Sequence, residues 1–113
     1  MNAIFIAGTD TGVGKTLITG LLADYFIGKG RSAVTQKWIA TGNTDDIRIH
    51  SKIMGLASTE NRGLIVPYSF KFAASPHLAA SLERKPINKE RIKKAFLELS
   101  RRYDFVIVEG TGG

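Results

Sequence analysis

The chain has 113 residues, of which 43% are hydrophobic and 23% charged, with a formal net charge of +6. That length allows one domain with a modest core, and the balance of apolar and charged residues excludes a disordered chain. With no cysteine and two histidines, a disulfide framework is excluded and a zinc site is not expected.

The first apolar run, Ala3-Ile4-Phe5-Ile6-Ala7, reads as a strand and leads into Gly8-Thr9-Asp10-Thr11-Gly12-Val13-Gly14-Lys15-Thr16. A strand, a glycine-rich turn and then a helix is the context in which a phosphate-binding loop works. Glycines let the backbone approach a bulky anion and take positive φ angles, and the N-terminus of the next helix adds partial positive charge. Lys15 supplies a mobile charge for the β- and γ-phosphates, and the Thr16 hydroxyl suits Mg²⁺. Thr9 stands where the strict pattern has glycine, and Gly8 lies one residue earlier.

Ile18, Leu21, Leu22 and Tyr25 recur at helical spacing, so a helix is predicted from Lys15 to about Lys29, ended by Gly28 and Gly30. Ser32-Ala33-Val34-Thr35-Gln36 reads as a second strand, pairing in parallel with the first through a right-handed crossover. Trp38 to Asn43 is expected to be a loop at the carboxyl end of that strand, the edge where open parallel sheets place ligands. Asp46 to Met54 is expected to form a short helix, capped by Thr44 or Asp45. The stretch Leu64 to Phe70 is ambiguous, since Pro67 argues against a central strand. Ser75-Pro76 marks a helix start. Asn88 caps a further helix with an apolar stripe of Ile92, Ala95, Phe96, Leu99 and Tyr103. Phe105-Val106-Ile107-Val108 reads as a buried strand with Glu109 at its end, followed by a glycine-rich turn.

The fold expected is α/β: a P-loop NTPase-like, open and mainly parallel sheet with flanking helices. Residues 1–113 read as the N-terminal part of a single nucleotide-binding domain, because such a turn normally feeds another element and about three strands make a small sheet for this class. The basic residues Lys85, Lys89, Arg91, Lys93, Lys94, Arg101 and Arg102 come without an aromatic platform or recognition motif. They read as a solvated helix face, so no nucleic-acid partner is expected. No apolar run approaches a membrane span and no signal-like segment precedes the first strand, so the expectation is a cytoplasmic protein without a membrane partner.

The phosphate loop, Lys37 to Gly42, Asp45-Asp46 and Glu109 converge on one edge of the sheet. Mg²⁺ takes one or two carboxylates beside a hydroxyl, phosphate oxygens and water; Thr16, an aspartate near position 46 and Glu109 would supply them. Lys37 can offset negative charge built during phosphoryl transfer. A carboxylate after an apolar strand needs partners, which favours a functional role for Glu109. Lys37 alone could be a surface lysine, and Asp45 or Asp46 could simply cap a helix.

With these segments in place the sequence resembles the dethiobiotin synthetases. The resemblance is carried by residues 8–16, Lys37-Trp38-Ile39-Ala40-Thr41-Gly42, Asp46, Pro67-Tyr68-Ser69-Phe70, Ser75-Pro76-His77 and Val108-Glu109-Gly110-Thr111-Gly112-Gly113. It covers nearly the whole chain and about the N-terminal half of family members. It implies a ligase that closes the ureido ring of dethiobiotin from 7,8-diaminopelargonic acid, CO₂ and ATP, in biotin biosynthesis, as a homodimer. It also implies site roles. Lys37 and Lys15 would be catalytic. Thr11, Gly12, Val13, Gly14, Lys15, Thr16, Leu17 and Asp46 would hold ATP, and Lys37 and Thr41 the substrate. Thr16, Asp46 and Glu109 would hold Mg²⁺. The chain departs from the family's usual proline at Trp38 and alanine at Thr111, which bears on pocket shape.

Other readings are a cobyrinic-acid-type amide-forming ligase, a partition-type ATPase, or a non-catalytic nucleotide-binding regulatory module. The partition type places a second lysine where this chain has Asp10, and glycine where it has Thr11. A pure phosphate sensor does not need both Lys37 and Glu109.

Overall fold

The computed structural model describes residues 2–8, 13–42, 49, 52, 62–71 and 76–110. Strands β1 (Asn2–Ile6), β2 (Ala33–Gln36) and β5 (Phe105–Glu109) form a three-stranded parallel sheet in the order β1-β5-β2. The expected neighbours β1 and β2 are therefore both in the sheet, but β5 lies between them. The reason is in the residues: Val106, Ile107 and Val108 are buried in succession. A strand apolar on both faces takes the centre of a parallel sheet, where both are covered.

The helices are α1 (Val13–Gly28), α2 (Arg62–Ile65), α3 (Pro76–Leu82) and α4 (Lys89–Arg102). Side chains alternate across the sheet. Ile4, Ile6, Ala33, Phe105 and Ile107 pack with Leu22, Ala23, Phe26 and Ile27 of α1, and the Phe26 and Phe105 rings stack with centroids 3.8 Å apart. On the other face Val34, Val106 and Val108 pack with Leu99 and Phe96 of α4, with Tyr103 just beyond it, and with Leu64 and Ile65 of α2. Leu99 is fully buried there, and truncating such a leucine costs about 2–5 kcal/mol.

The first helix is where the spacing predicts it, but of the expected stripe only Leu22 packs against the core. Ile18, Leu21 and Tyr25 are exposed, while Thr16, Thr19 and Ala23 face inward. Small and polar residues bring this helix close to the sheet, so the most apolar spacing was not the buried one. Asn88 caps α4 as expected, its side chain accepting from the Glu90 amide at 2.9 Å, worth about 1 kcal/mol. The α4 stripe divides: Ile92 joins a second small core of Tyr68, Phe70, Ala79 and Ile39.

That second core lies on a two-stranded parallel sheet, β3 (Ile39–Thr41) with β4 (Tyr68–Phe70), in the register Ile39↔Tyr68 and Thr41↔Phe70. The expected loop from Trp38 therefore contains a strand, whose partner lies almost thirty residues away. Pro67 immediately precedes β4, where a missing amide hydrogen breaks no ladder. Pro76 opens α3. Of the expected helix at 46–54, Ile49 and Lys52 are helical and the rest lies outside the described residues, as does Ser75. Among the described residues no helix is long and apolar enough to cross a membrane. The basic side chains from Lys85 to Arg102 are exposed, as a solvated face requires.

Candidate active site

The phosphate loop leaves β1 at its carboxyl end and feeds α1. Val13 is the first residue of α1, and no acidic side chain stands in its first turn, which suits an anion at this helix N-terminus. The Lys15 ammonium donates to the carbonyls of Gly8 and Gly110, each at 3.3 Å. A Cβ at Gly8 would come within 3.3 Å of the Lys15 side chain, so glycine there leaves room for the lysine stem to fold back over the strand end. Gly14 differs: a Cβ would meet nothing within 4 Å and its φ is not positive. The chain's own packing does not require glycine at that position. Thr16 is buried, and its hydroxyl makes no hydrogen bond among the described residues. Thr11 and Gly12 lie outside the described residues.

Sheet register builds the second part of the site. Gln36 pairs with Val108 across β2 and β5, so the next residues along the two chains, Lys37 and Glu109, come side by side. Equivalent positions of parallel neighbours point to the same face. The Lys37 Nζ lies 3.0 Å from Glu109 Oε2, with the side chains 11% and 2% exposed. By the same alternation the pair continues the row of Ala33, Thr35, Phe105 and Ile107 on the α1 face, the face of the phosphate-loop helix. Gly110 extends the arrangement to β1, its amide donating to Ile6 O at 2.8 Å. A Cβ on Gly110 would meet Phe5 at 3.1 Å and Ile6 O at 3.2 Å, so glycine is needed for this close approach. One turn thus carries Glu109 and offers the carbonyl that receives Lys15.

The structure therefore brings together Lys15, Lys37 and Glu109, with Thr16 in the first turn of α1. Thr41 stands at the end of β3, in the second sheet, just before Gly42, whose φ of 77° turns the chain. Leu17 follows Thr16 on α1 and is exposed. Asp46 and Asp45 lie outside the described residues. Among the described residues no group of three or more His, Cys, Asp or Glu could hold a metal. The hard oxygens of Thr16 and Glu109 still fit Mg²⁺, which needs few protein ligands when phosphate and water supply the rest.

Sequence reasoning missed Gln36, read only as the end of a strand. It is fully buried, donating to Leu64 O at 2.9 Å and accepting from the Trp38 indole at 3.0 Å. An amide closing a short run of buried residues was the available signal.

A family model described as an AAA domain matches residues 2–113. The chain is 44% identical over 115 residues to the ATP-dependent dethiobiotin synthetase BioD 2 of Haemophilus influenzae, covering 97% of this chain and 60% of that protein. It is 44% identical over 113 residues to the BioD of Chlorobaculum tepidum, covering 96% and 47%. With the BioD of Methanocaldococcus jannaschii it shares 37% over 114 residues, covering 97% and 52%. The chain thus spans about half the length of the curated relatives it matches. It belongs to the AAA domain family, and the resemblance to dethiobiotin synthetases read from its motifs holds along nearly its whole length.

Proposed function

We propose that this chain carries the phosphate-binding and phosphoryl-transfer part of an ATP-dependent dethiobiotin synthetase, a ligase of biotin biosynthesis. The observation that supports this reading most is the buried Lys37–Glu109 pair beside the phosphate-loop lysine. Holding a triphosphate needs only the loop and its helix. A second, buried ammonium on the same sheet edge is what a reaction needs when it brings two anions together.

In the proposed reaction one amine of 7,8-diaminopelargonic acid attacks CO₂, forming an N–C bond and losing a proton to give a carbamate. A carbamate oxygen then takes the γ-phosphoryl group of ATP, and ADP leaves. The second amine attacks the carbonyl carbon of this mixed anhydride, loses its proton and expels inorganic phosphate, closing the ring. Lys15, with Thr11, Gly12, Val13, Gly14, Thr16 and Leu17, holds the phosphates. Lys37 offsets the repulsion between γ-phosphate and carbamate, while the Thr41 hydroxyl contacts the substrate. Thr16, Glu109 and Asp46 would hold Mg²⁺, which when bound neutralises phosphate charge. A cytoplasmic homodimer belongs to the same proposal.

The test is mass-spectrometric detection of dethiobiotin after incubating the full-length protein with diaminopelargonic acid, bicarbonate, ATP and Mg²⁺. The expected result is one phosphate released per ring closed. ATP hydrolysis indifferent to diaminopelargonic acid, or ATP binding without turnover, would refute the reading in favour of a different ligase or a regulatory module.

A further inference from the structure

We propose that Gln36 is a positioning residue for Lys37: bonded to Trp38 and to the end of α2, it holds the carboxyl end of β2 from the face opposite the site. The proposal rests on the functional reading above, since it concerns the transfer step assigned to Lys37.

Burying an amide is unfavourable unless both its ends are bonded, and those of Gln36 are. Leu64 and Ile65 are the last residues of α2, where carbonyls lack partners within the helix. Leu64 O receives the Gln36 side chain and Ile65 O receives the Lys37 amide, each at 2.9 Å. The Trp38 carbonyl accepts from the Tyr68 amide at 3.2 Å. Lys37 is thus held by its own backbone and bracketed by a side-chain bond between the residues on either side.

Trp38 carries the bracket further. Its ring lies 5.5 Å from that of Phe5 and 6.5 Å from that of Phe96 on α4, edge-on to the latter. Phe5 belongs to β1, the strand that enters the phosphate loop, and its ring packs against Gly110. The bracket therefore ties the backbone of Lys37 to the strand ends whose carbonyls, Gly8 and Gly110, receive Lys15. Gln36 itself cannot touch the reacting groups. Alternation places Gln36 and Trp38 with Val34 and Val108 on the α4 face, and Lys37 with Glu109 on the other. Its role is to fix where a long, flexible side chain begins. A misplacement near 1 Å can cost on the order of a hundredfold in rate.

The experiment uses the full chain with Gln36→Leu and Trp38→Phe, the second keeping an aromatic ring while removing the indole donor. Both variants are expected to lose roughly ten- to a hundredfold in kcat with the KM for ATP within about twofold. The effect is expected to vanish when Lys37 is already Met, since residues acting through one group are not additive. The ¹³Cε resonance of Lys37 should shift in Trp38→Phe while that of Lys15 stays in place. Either variant turning over within about twofold of wild type overturns the proposal, as does a further loss in the Lys37→Met background. A full-length wild-type protein that forms no dethiobiotin refutes the functional reading instead. The Lys37 resonance then tests the positioning alone, and its failure to move overturns it.

Discussion

Replacing Lys37 by methionine removes a cation 3.0 Å from a carboxylate whose side chain is 2% exposed. Glu109 then keeps a charge in a place water scarcely reaches. Removing one member of a buried pair costs about 3–5 kcal/mol, a large part of the roughly 5–15 kcal/mol that holds a domain together. Lys37→Met is therefore expected to be strongly destabilised, and loss of activity in that variant alone would not separate chemistry from folding. Adding Glu109→Gln removes that buried charge at nearly unchanged volume. The double variant should recover about 2 kcal/mol or more relative to the sum of the single effects. Urea unfolding at neutral pH measures this directly, with Trp38, the sole tryptophan, as an intrinsic probe beside the pair. Turnover should follow the opposite pattern. All three variants are expected to lose on the order of a hundredfold or more in ring closure, because each lacks one or both of the preorganised charges. Single-variant stabilities that add within about 0.5 kcal/mol would refute the coupling, and a double variant that regained turnover would refute the role of the charge.

Lys15→Ala is expected to weaken ATP binding at least about tenfold while leaving stability within about 0.5 kcal/mol, since Lys15 holds two carbonyls at a long 3.3 Å; unchanged affinity by calorimetry would refute its role. Arg84 has a φ of 54° at the end of α3, where Arg84 N donates to Ser81 O and Lys85 N to Ala80 O. That is a helix stop favouring glycine, so Arg84→Gly should stabilise by about 0.5–1 kcal/mol, and a lowered Tm would refute it. Asp104 is held below the ordinary carboxylate range, first by the Ser32 amide and then by the Arg31 guanidinium. With the folded pKa depressed, its contribution is full above about pH 4 and is lost as pH falls through the folded value. The urea midpoint should therefore fall more steeply below pH 4 for wild type than for Asp104→Asn, and equal slopes would refute the link.

Local rules made much of this chain legible. The phosphate loop, the Asn88 cap, Pro76 at a helix start and the apolar β5 each announce themselves within a few residues. Pairing across long separations was less visible. The interposed β5 follows β2 by almost seventy residues, and β3 is a strand only because β4 lies beside it. The face of α1 was hidden for another reason: beside Leu22, Phe26 and Ile27 its most deeply buried side chains include Thr16, Thr19 and Ala23, which a search for large apolar residues passes over. Lys37 and Glu109 could be named from sequence, yet their 3.0 Å contact depends on a register that no local pattern encodes. Gln36 was missed because its two partners lie in different directions, Trp38 two residues on and Leu64 across the fold.

The charges at this sheet edge explain why one carboxylate belongs among two lysines. Lys15, Lys37 and the N-terminus of α1, worth roughly half a charge, make the edge attractive to phosphates. Two ammoniums alone would repel each other, and burying Lys37 costs it hydration. Glu109 removes that penalty before any ligand is bound, and register keeps it 3.0 Å from Lys37 at no cost in new structure. In the proposed reaction a triphosphate and a carbamate bring several negative charges together, more than two lysines and a helix end can offset. Glu109 then serves in a second capacity, as a hard oxygen for the divalent cation that makes up the deficit. In the proposed reaction, a carboxylate that steadies Lys37 in the free protein and supports a metal in the complex would account for its burial and its place at the end of the central strand. The same carboxylate on an outer strand would have one neighbouring strand instead of two, and could not stand between Lys37 on one side and the phosphate loop on the other.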